Sequence, residues 1–242
     1  MAAFDIIYKL LTYSAGTFSV LMNASPVLTI RRVEQAGTVG ASTITFYGAQ
    51  MYNAVTWASY GTYSTSYPLL VSNLLGNAVS TYCSLTWLTV ARRETKAGRT
   101  LESTTYSRSV LTYAFFFMLC VAHLFLSIVF ILSNKPELAK TMTGFEGSIA
   151  SLVMLSAPLA MFKHIVTTKN AEVLAPAMVT FAFFNTLFWT IAGLMTGDPF
   201  IIYPNFLCWL ACVGQVVLLL KYGRRPTAKA EIKEAIAPIP FD

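Results

Sequence analysis

The chain has 242 residues, of which 55% are hydrophobic and only 28 carry a charge, 17 basic and 11 acidic. A soluble domain has charges on about a quarter of its residues, so this composition excludes an ordinary soluble domain and predicts a membrane protein. We interpret the net charge of +6 as a signal of membrane orientation and predict no nucleic-acid partner.

Long stretches without Asp, Glu, Lys or Arg divide the chain into membrane-crossing segments, and the longest, between Glu34 and Arg92, has room for two spans. A membrane helix needs roughly 20 apolar residues. We therefore predict an all-α fold with seven transmembrane helices, near residues 6–30, 42–62, 67–91, 109–133, 147–166, 175–196 and 199–220. The first has no basic segment before it and carries Asp5, so we do not expect it to be a cleavable signal peptide.

The basic residues fall mostly on one side of the predicted bilayer. With seven spans, 14 of the 17 lie on one side, and the other side has only Lys9, Lys135 and Lys140. The positive-inside rule then predicts an external N-terminus and a cytosolic C-terminus. The plasma membrane is the favoured location, and an organelle membrane stays open.

Two parts of the chain repeat each other at a constant offset in residue number. "NAVTWASYG", which begins at Asn53, matches "NTLFWTIAG", which begins at Asn185, and "SVLMNASP" aligns with "SLVMLSAP" without a gap. The offset, 185 minus 53, is 132. Eight matches at one offset indicate an internal duplication. The matched pairs are Asn53 and Asn185, Trp57 and Trp189, Gly61 and Gly193, Ser19 and Ser151, Met22 and Met154, Pro26 and Pro158, Arg31 and Lys163, and Asn73 and Asn205.

The repeat covers the first three and the last three predicted helices. The fourth has no equivalent in the repeat. Because each copy has an odd number of helices, this extra helix lets both copies enter the membrane from the same side. The two copies then form parallel three-helix bundles joined by a linker helix, a 3+1+3 arrangement. We assign residues 1–91 to the first bundle, 92–134 to a cytosolic loop and the linker helix, 135–222 to the second bundle, and 223–242 to a disordered cytosolic tail.

The repeated polar and aromatic residues predict an uncharged pocket between the bundles. Asn53 and Trp57 share one helix face, and Ser19, Met22 and Pro26 share another. Indole faces pack on C–H surfaces, and amides both donate and accept hydrogen bonds, so the pocket suits a neutral polyhydroxylated ring such as a sugar. A single Trp can also be an interfacial anchor and a single Asn can join neighbouring helices, but the repetition favours a shared site.

Ionisable residues are scarce at membrane depth. Ion-coupled carriers usually bury such groups, whereas every Asp and Glu here is predicted at a span end, in a loop or in the tail. His123, on the linker helix, is the exception, and we interpret it as a structural histidine without a carboxylate or metal partner. This pattern predicts uncoupled transport and disfavours an enzyme. The four cysteines lie within spans and indicate neither a disulfide nor a metal site, and no cofactor is predicted.

Several motifs together resemble the SWEET (MtN3/saliva) sugar transporters. They are "ASPVLTIRR" with "SAPLAMFKH", "TWASYG" with "FWTIAGL", "SNLLG", and "GDPFIIYPN" followed by Gln215, and the resemblance covers about residues 10–222. It implies a facilitative sugar uniporter that works by alternating access, with Asn73 and Asn205 bonding the sugar and Trp57 and Trp189 stacking on it. It also implies that Asn53, Asn185, Met22 and Met154 line the pocket, to which the repeated helix faces add Ser19 and Ser151.

The same resemblance predicts the size of the substrate and the gates. Methionine at both Met22 and Met154 favours a monosaccharide such as glucose over a disaccharide. The matching outer-gate residues are Tyr60, Asp198 and Pro204, and those of the inner gate and hinge are Pro26 and Pro158. Two further inner-gate prolines of the family are altered here: Phe46 occupies one position and Ala175 the other, with Pro176 one residue late.

Other functions remain open at this stage. One is a proton-coupled carrier of amino acids or other small solutes with related architecture. Another is a seven-helix receptor or retinal protein, although the retinal lysine would have to lie deep in the last helix and Lys221 lies at its end. The family often forms homo-oligomers, which the sequence does not test.

Overall fold

The computed structural model describes residues 2–224, except for the side chains of residues 2, 156–158 and 160. This part of the chain is helical and has no strand. Its nine helices are α1 (Ala2–Ala24), α2 (Pro26–Ala36), α3 (Ile44–Tyr63), α4 (Tyr67–Lys96), α5 (Tyr106–Leu132), α6 (Pro136–Met154), α7 (Ser156–Thr168), α8 (Pro176–Thr196) and α9 (Pro199–Tyr222). The tail predicted over 223–242 lies outside the described residues from position 225 onward.

The first predicted span consists of two helices. α1 ends at Ala24 and α2 begins at Pro26, with Ser25 between them. Proline has no N–H to donate to the preceding turn, and its ring clashes with the carbonyl four residues earlier. As the first residue of a helix it costs little, because that N–H would have no intrahelical acceptor. The chain therefore restarts at Pro26 instead of continuing as one helix.

The start predicted for the fifth span, residue 147, is wrong. The helix α6 begins at Pro136, and α7 continues to Thr168 after a break at Leu155. The prediction places Glu146 outside the span, as it does every acidic residue. In the structure Glu146 lies inside α6 and its carboxylate contacts His123 of α5. A carboxylate that has a partner is tolerated within a membrane helix.

By length and apolar composition, three helices within the described residues are able to cross a membrane on their own, namely Tyr106–Leu132, Pro176–Thr196 and Pro199–Tyr222. The helices of the first repeat have more serine, threonine and asparagine than those of the second, for example Ser72, Asn73 and Asn77 in α4. Much of this polarity is turned inward, since Ser72, Asn73, Ser80 and Ser84 are all buried.

The packing of the helices follows the sequence repeat. α3 packs on α4 as α8 packs on α9, and α1 packs on α4 as α6 packs on α9. Across the seam, α1 contacts α8 and α6 contacts α3. The helix starts agree as well, because 176 minus 44 and 199 minus 67 are both 132. The two copies therefore face each other through equivalent surfaces.

The repeated glycines lie where two helices cross closely. A Cβ atom added at Gly61 would come within 2.6 Å of the Leu70 backbone nitrogen, and one added at Gly193 would come within 3.1 Å of the Ile202 nitrogen. Leu70 and Ile202 are themselves equivalent positions of the repeat. Glycine thus allows α3 to approach α4, and α8 to approach α9, at the same point of each copy.

The helix α5 lies beside the paired copies and contacts α3, α4 and α6. Its outward side chains are large and apolar, including Leu111, Phe115, Met118 and Phe125. Its buried residues form a narrow, mostly polar stripe, namely Ser109, Cys120, His123 and Ser127. An apolar outer surface of this kind suits contact with lipid.

Candidate functional site

A cavity of about 390 Å³ lies between the two copies. This volume lies within the range typical of small-ligand sites. All ten residues predicted from the sequence to line the pocket contribute to its wall: Ser19, Met22, Asn53, Trp57, Asn73, Ser151, Met154, Asn185, Trp189 and Asn205. Whether they bind a substrate stays a prediction at this point.

The two tryptophans point inward and are almost completely buried. Trp57 is 7% exposed and Trp189 is 4% exposed, and both belong to one core cluster with Ala15, Tyr60 and Leu69. A membrane-interface anchor would leave the indole ring at the protein surface. Their position therefore excludes the anchor interpretation for these two residues.

Each tryptophan takes part in a short hydrogen-bond chain that crosses between the copies. Trp57 Nε1 donates to Ser151 Oγ at 3.0 Å, and that hydroxyl donates to Asn53 Oδ1 at 2.9 Å. In the second chain Trp189 Nε1 donates to Ser19 Oγ at 3.1 Å, which donates to Asn185 Oδ1 at 2.5 Å. Each serine thus fixes an indole and an amide of the opposite copy.

The other repeated asparagines also have equivalent environments. Asn73 Nδ2 donates to the Leu69 carbonyl and Asn205 Nδ2 to the Ile201 carbonyl, both at 2.8 Å. These bonds fix the amide planes against their own helices. They leave the Oδ1 acceptors without a hydrogen-bond partner among the described residues, so a ligand hydroxyl could donate to them.

The cavity wall has no charge among the described residues. Apart from the amides and hydroxyls, it consists of apolar and sulfur-containing side chains, including Val179, Ala182, Cys208 and Cys212. A charged ligand would have to be desolvated there without a countercharge, which is costly. The site therefore suits a neutral ligand.

A hydrogen bond between Tyr60 and Asp198 links the two copies next to the cavity residues Trp57 and Ile201. Tyr60 Oη donates to Asp198 Oδ2 at 2.7 Å, which joins α3 of one copy to the start of α9 in the other. The Tyr60 ring also contacts Trp57 and Phe200 edge-on, at 5.7 and 6.0 Å between centroids. Asp198 in addition caps α9 by accepting from the Phe200 and Ile201 N–H groups. A separate pocket lies beyond this layer, lined by Tyr8, Glu137 and Lys140 among others.

The residues predicted to form the inner gate differ in whether they line the cavity. Pro26 and Phe46 line the cavity, and so does Ala175. Pro176 does not line it. Pro176 is the first residue of α8, and Ala175 precedes it as the N-cap. The backbone of Pro158 belongs to α7, but its side chain lies outside the described residues.

The structure corrects the prediction for His123. This histidine has a carboxylate partner, since Nδ1 contacts Glu146 Oε2 and Nε2 lies 3.1 Å from Ser59 Oγ. His123 is 2% exposed. Neither member of the pair lines the cavity. His123 and Glu146 therefore form an ionisable pair that the sequence argument did not predict, and it lies outside the candidate site.

Two amides are among the cavity residues that the sequence analysis did not single out. Asn23 and Gln50 both line the wall. Their equivalents in the second copy are Leu155 and Ala182, so a search for repeated polar residues passes over them. A search for amides that are present in only one copy would have found them.

A protein-family model described as "Sugar efflux transporter for intercellular exchange" (MtN3/saliva) matches the chain twice, over residues 9–95 and 141–227. Both ends of the two matches are displaced by the repeat offset, because 141 minus 9 and 227 minus 95 are both 132. The duplication inferred from single residues is therefore the duplication of a whole family unit.

Individual proteins are similar along most of the chain. The bidirectional sugar transporter SWEET3b of Oryza sativa subsp. japonica is 30% identical over 218 residues, which cover 85% of this chain and 79% of that protein. The sugar transporter SWEET1 of Drosophila pseudoobscura pseudoobscura is 23% identical and covers 98% and 99%. A solved eukaryotic SWEET transporter has a TM-score of 0.71 at 18% identity, covering 91% and 98%, and this likeness shows the fold.

Proposed function

The chain belongs to the SWEET (MtN3/saliva) family of sugar transporters, and from this premise we propose that it moves a neutral monosaccharide across a membrane, down its gradient, by alternating access. Membership makes it an integral membrane protein and a transporter, not an enzyme. One observation supports the substrate class most strongly: an uncharged cavity between the repeats, with two buried indoles and repeated amides in its wall.

The chain is proposed to cross the membrane seven times. In this arrangement α1 with α2, α3 and α4 form the first three-helix bundle, α6 with α7, α8 and α9 form the second, and α5 is the linker helix. The repeated contacts between helices support two parallel bundles. The breaks at Ser25 and Leu155 fall inside the first and fifth spans.

The proposed orientation follows from the basic residues. Arg31 and Arg32 near the end of α2, and Arg92 and Arg93 near the end of α4, fall on the side of the cavity that Pro26 and Phe46 line. With these residues in the cytosol, the N-terminus is external, and Tyr60 and Asp198 close the external side. The cavity is then accessible from the cytosol, in what we propose is the plasma membrane.

The sugar is proposed to lie between the two indoles. Flat C–H surfaces of a pyranose pack on indole faces, and the relays through Ser19 and Ser151 hold the rings in place. The Oδ1 atoms of Asn73 and Asn205 would accept hydrogen bonds from sugar hydroxyls. Met22 and Met154 both line the cavity, and their length supports a monosaccharide such as glucose. A homo-oligomer, implied by the family resemblance, is part of the proposal.

The experiment is radiolabelled sugar exchange by the purified full chain in proteoliposomes without ion gradients. We expect glucose to equilibrate faster than sucrose, and Trp57→Ala or Asn73→Ala to reduce exchange at least tenfold while membrane insertion is normal. The matched controls Trp209→Ala and Asn77→Ala remove an indole and an amide that do not line the cavity, and they should retain exchange. Normal exchange by Trp57→Ala and Asn73→Ala would contradict the proposed site, and faster sucrose exchange would contradict the size argument.

The proton-coupled carrier is tested by the same preparation. Its best structural candidate for a proton site, His123 with Glu146, lies outside the cavity. An uncoupled transporter should exchange glucose equally with and without a proton ionophore under an imposed pH gradient. Accumulation of solute that collapses when the ionophore is added would favour the coupled alternative.

A further inference from the structure

A pair of amides that the proposed mechanism does not use lines the cavity in the first copy, Asn23 on α1 and Gln50 on α3. Gln50 Nε2 donates to Asn23 Oδ1, and Asn23 Nδ2 donates to the Ser72 carbonyl, both at 3.4 Å. These distances are at the long end for hydrogen bonds. Gln50 is 6% exposed, and its Oε1 has no partner in the described part of the chain. Buried polar atoms are normally bonded, so this acceptor lacks the partner that such an atom usually has.

The pair exists in one copy only. The equivalents of Asn23 and Gln50 are Leu155 and Ala182, and both also line the cavity. One wall is therefore polar where the opposite wall is apolar. The repeated residues form an approximately symmetrical site, and this pair is a departure from that symmetry.

A third position differs together with the pair. A Cβ atom added at Gly76 would lie 2.6 Å from Asn23 Nδ2, so glycine leaves the space that this amide occupies. The equivalent of Gly76 is Cys208. The first copy thus has an asparagine with a glycine behind it, and the second has a leucine and a cysteine. Because both positions differ together between the copies, we infer that Gly76 makes room for the Asn23 amide in the first copy.

The amides lie one helical turn from the proposed ring site. Asn23 follows Ser19 by four residues on α1 and precedes Pro26 by three, and Gln50 precedes Asn53 by three on α3. One turn of helix advances about 5.4 Å, which is comparable to the width of a sugar ring. A group bound by the amides therefore belongs to the edge of the sugar that points toward Pro26 and Phe46.

Resting on the proposed sugar-transport function, we propose that Asn23 and Gln50 form an amide subsite that hydrogen-bonds hydroxyl groups at the Pro26 end of the sugar. Gln50 Oε1 accepts from a hydroxyl, and the amide N–H atoms that the long bonds leave underused can donate to the same or the neighbouring oxygen. Because the opposite wall has Leu155 and Ala182 there, the subsite fixes the orientation of the sugar in an otherwise symmetrical cavity. It therefore selects for a hydroxyl at one place on the ring.

The test compares glucose with its 2-, 3-, 4- and 6-deoxy analogues by exchange in proteoliposomes of the wild-type full chain and of Gln50→Met. The methionine keeps the length of the side chain and removes its amide. We expect the wild type to have a KM about fivefold higher for at least one deoxy analogue than for glucose. In Gln50→Met the KM for glucose should rise to that of this analogue, and the ranking of the other analogues should not change.

Controls distinguish a ligand contact from a structural role. Asn23→Ala should remove the same discrimination, and it serves as the second variant if Gln50→Met does not fold. Asn77→Leu is the matched control. Asn77 follows Gly76 in the sequence and its Nδ2 donates to the Met51 carbonyl, but Asn77 does not line the cavity. This variant should leave the deoxy-sugar pattern intact. An unchanged pattern in both Gln50→Met and Asn23→Ala would overturn the subsite, while a wild type that moves no sugar would overturn the proposed function itself.

Discussion

At the scale of single residues, two serines organise the cavity. Ser19 and Ser151 each accept an indole N–H and donate to an asparagine of the other copy. The tryptophans are held by these contacts as well as by packing. A hydroxyl with both functions in use is difficult to replace, because its removal leaves a buried donor and a buried acceptor without partners.

We predict that Ser19→Ala and Ser151→Ala each raise the KM for the transported sugar several-fold. The physical reason is that the unpaired indole N–H costs about 1–3 kcal/mol and releases the ring from one orientation. The two variants should behave alike because their relays are equivalent. Exchange kinetics in proteoliposomes measure the effect.

The control for these variants is Ser84→Ala. Ser84 is fully buried in α4, and its hydroxyl has no partner among the described residues. Its removal should leave both stability and KM close to the wild-type values. If Ser19→Ala and Ser151→Ala behave like Ser84→Ala, the relays do not position the tryptophans.

At the scale of helices, the linker helix α5 is tied to both copies through one side chain. His123 contacts Ser59 of α3 through Nε2 and Glu146 of α6 through Nδ1. The Glu146 side chain is 26% exposed, whereas that of His123 is 1% exposed. The contact places a polar pair where the other α5 side chains are mostly apolar, so it specifies how α5 docks.

We predict that Glu146→Leu destabilises the protein by about 2 kcal/mol, because it leaves a buried imidazole without its hydrogen-bond partner. The double variant His123→Leu with Glu146→Leu should recover much of this loss, since two apolar side chains can pack where a pair was broken. Thermal unfolding in detergent measures both.

The other histidine provides the comparison. His164 lies exposed on α7, so His164→Leu should not change the unfolding temperature. A double variant that is less stable than Glu146→Leu alone would show that His123 stabilises the fold independently of the carboxylate. The proposed pairing would then be wrong as an account of how α5 is held.

At the scale of the whole molecule, access to the cavity is decided where the two bundles meet. The Tyr60–Asp198 hydrogen bond links the bundles, and Pro26, Phe46 and Ala175 line the cavity. In the proposed transport cycle this bond closes one end, so opening that end requires the bond to break. The equilibrium between the two accessible states therefore depends on its strength.

We predict that Tyr60→Phe increases access from the Tyr60 side about fivefold, since a hydrogen bond to a carboxylate contributes about 1.5–3 kcal/mol and part of this is regained from water. A membrane-impermeant maleimide applied from outside to cells whose transporter retains only Cys208 measures the access, because Cys208 lines the cavity.

Tyr63→Phe is the matched control. Tyr63 lies on the same helix, three residues after Tyr60, and has no bond to Asp198. It should label like the wild type. Equal labelling of Tyr60→Phe and Tyr63→Phe would show that the Tyr60 hydroxyl does not hold the proposed external end closed.

The sequence alone determined the helical character of the chain, its duplication and ten residues of the cavity wall. These features depend on local or repeated patterns: apolar length, helical spacing, and identity at a constant offset in residue number. A duplicated unit buries the same face twice, so shared residues such as Trp57 and Trp189 identify the seam before any contact is known.

Only the tertiary structure decided how the copies interact. The relays join residues 94 and 170 positions apart, such as Trp57 with Ser151 and Trp189 with Ser19, and depend on how the bundles pack. Glu146 was placed outside the fifth helix because a rule based on charge alone takes no account of a histidine on another helix that contacts the carboxylate. Gln50 was missed because a comparison of the two copies detects only the residues that they share. Packing places Gln50 in the cavity wall even though its equivalent in the second copy, Ala182, is apolar.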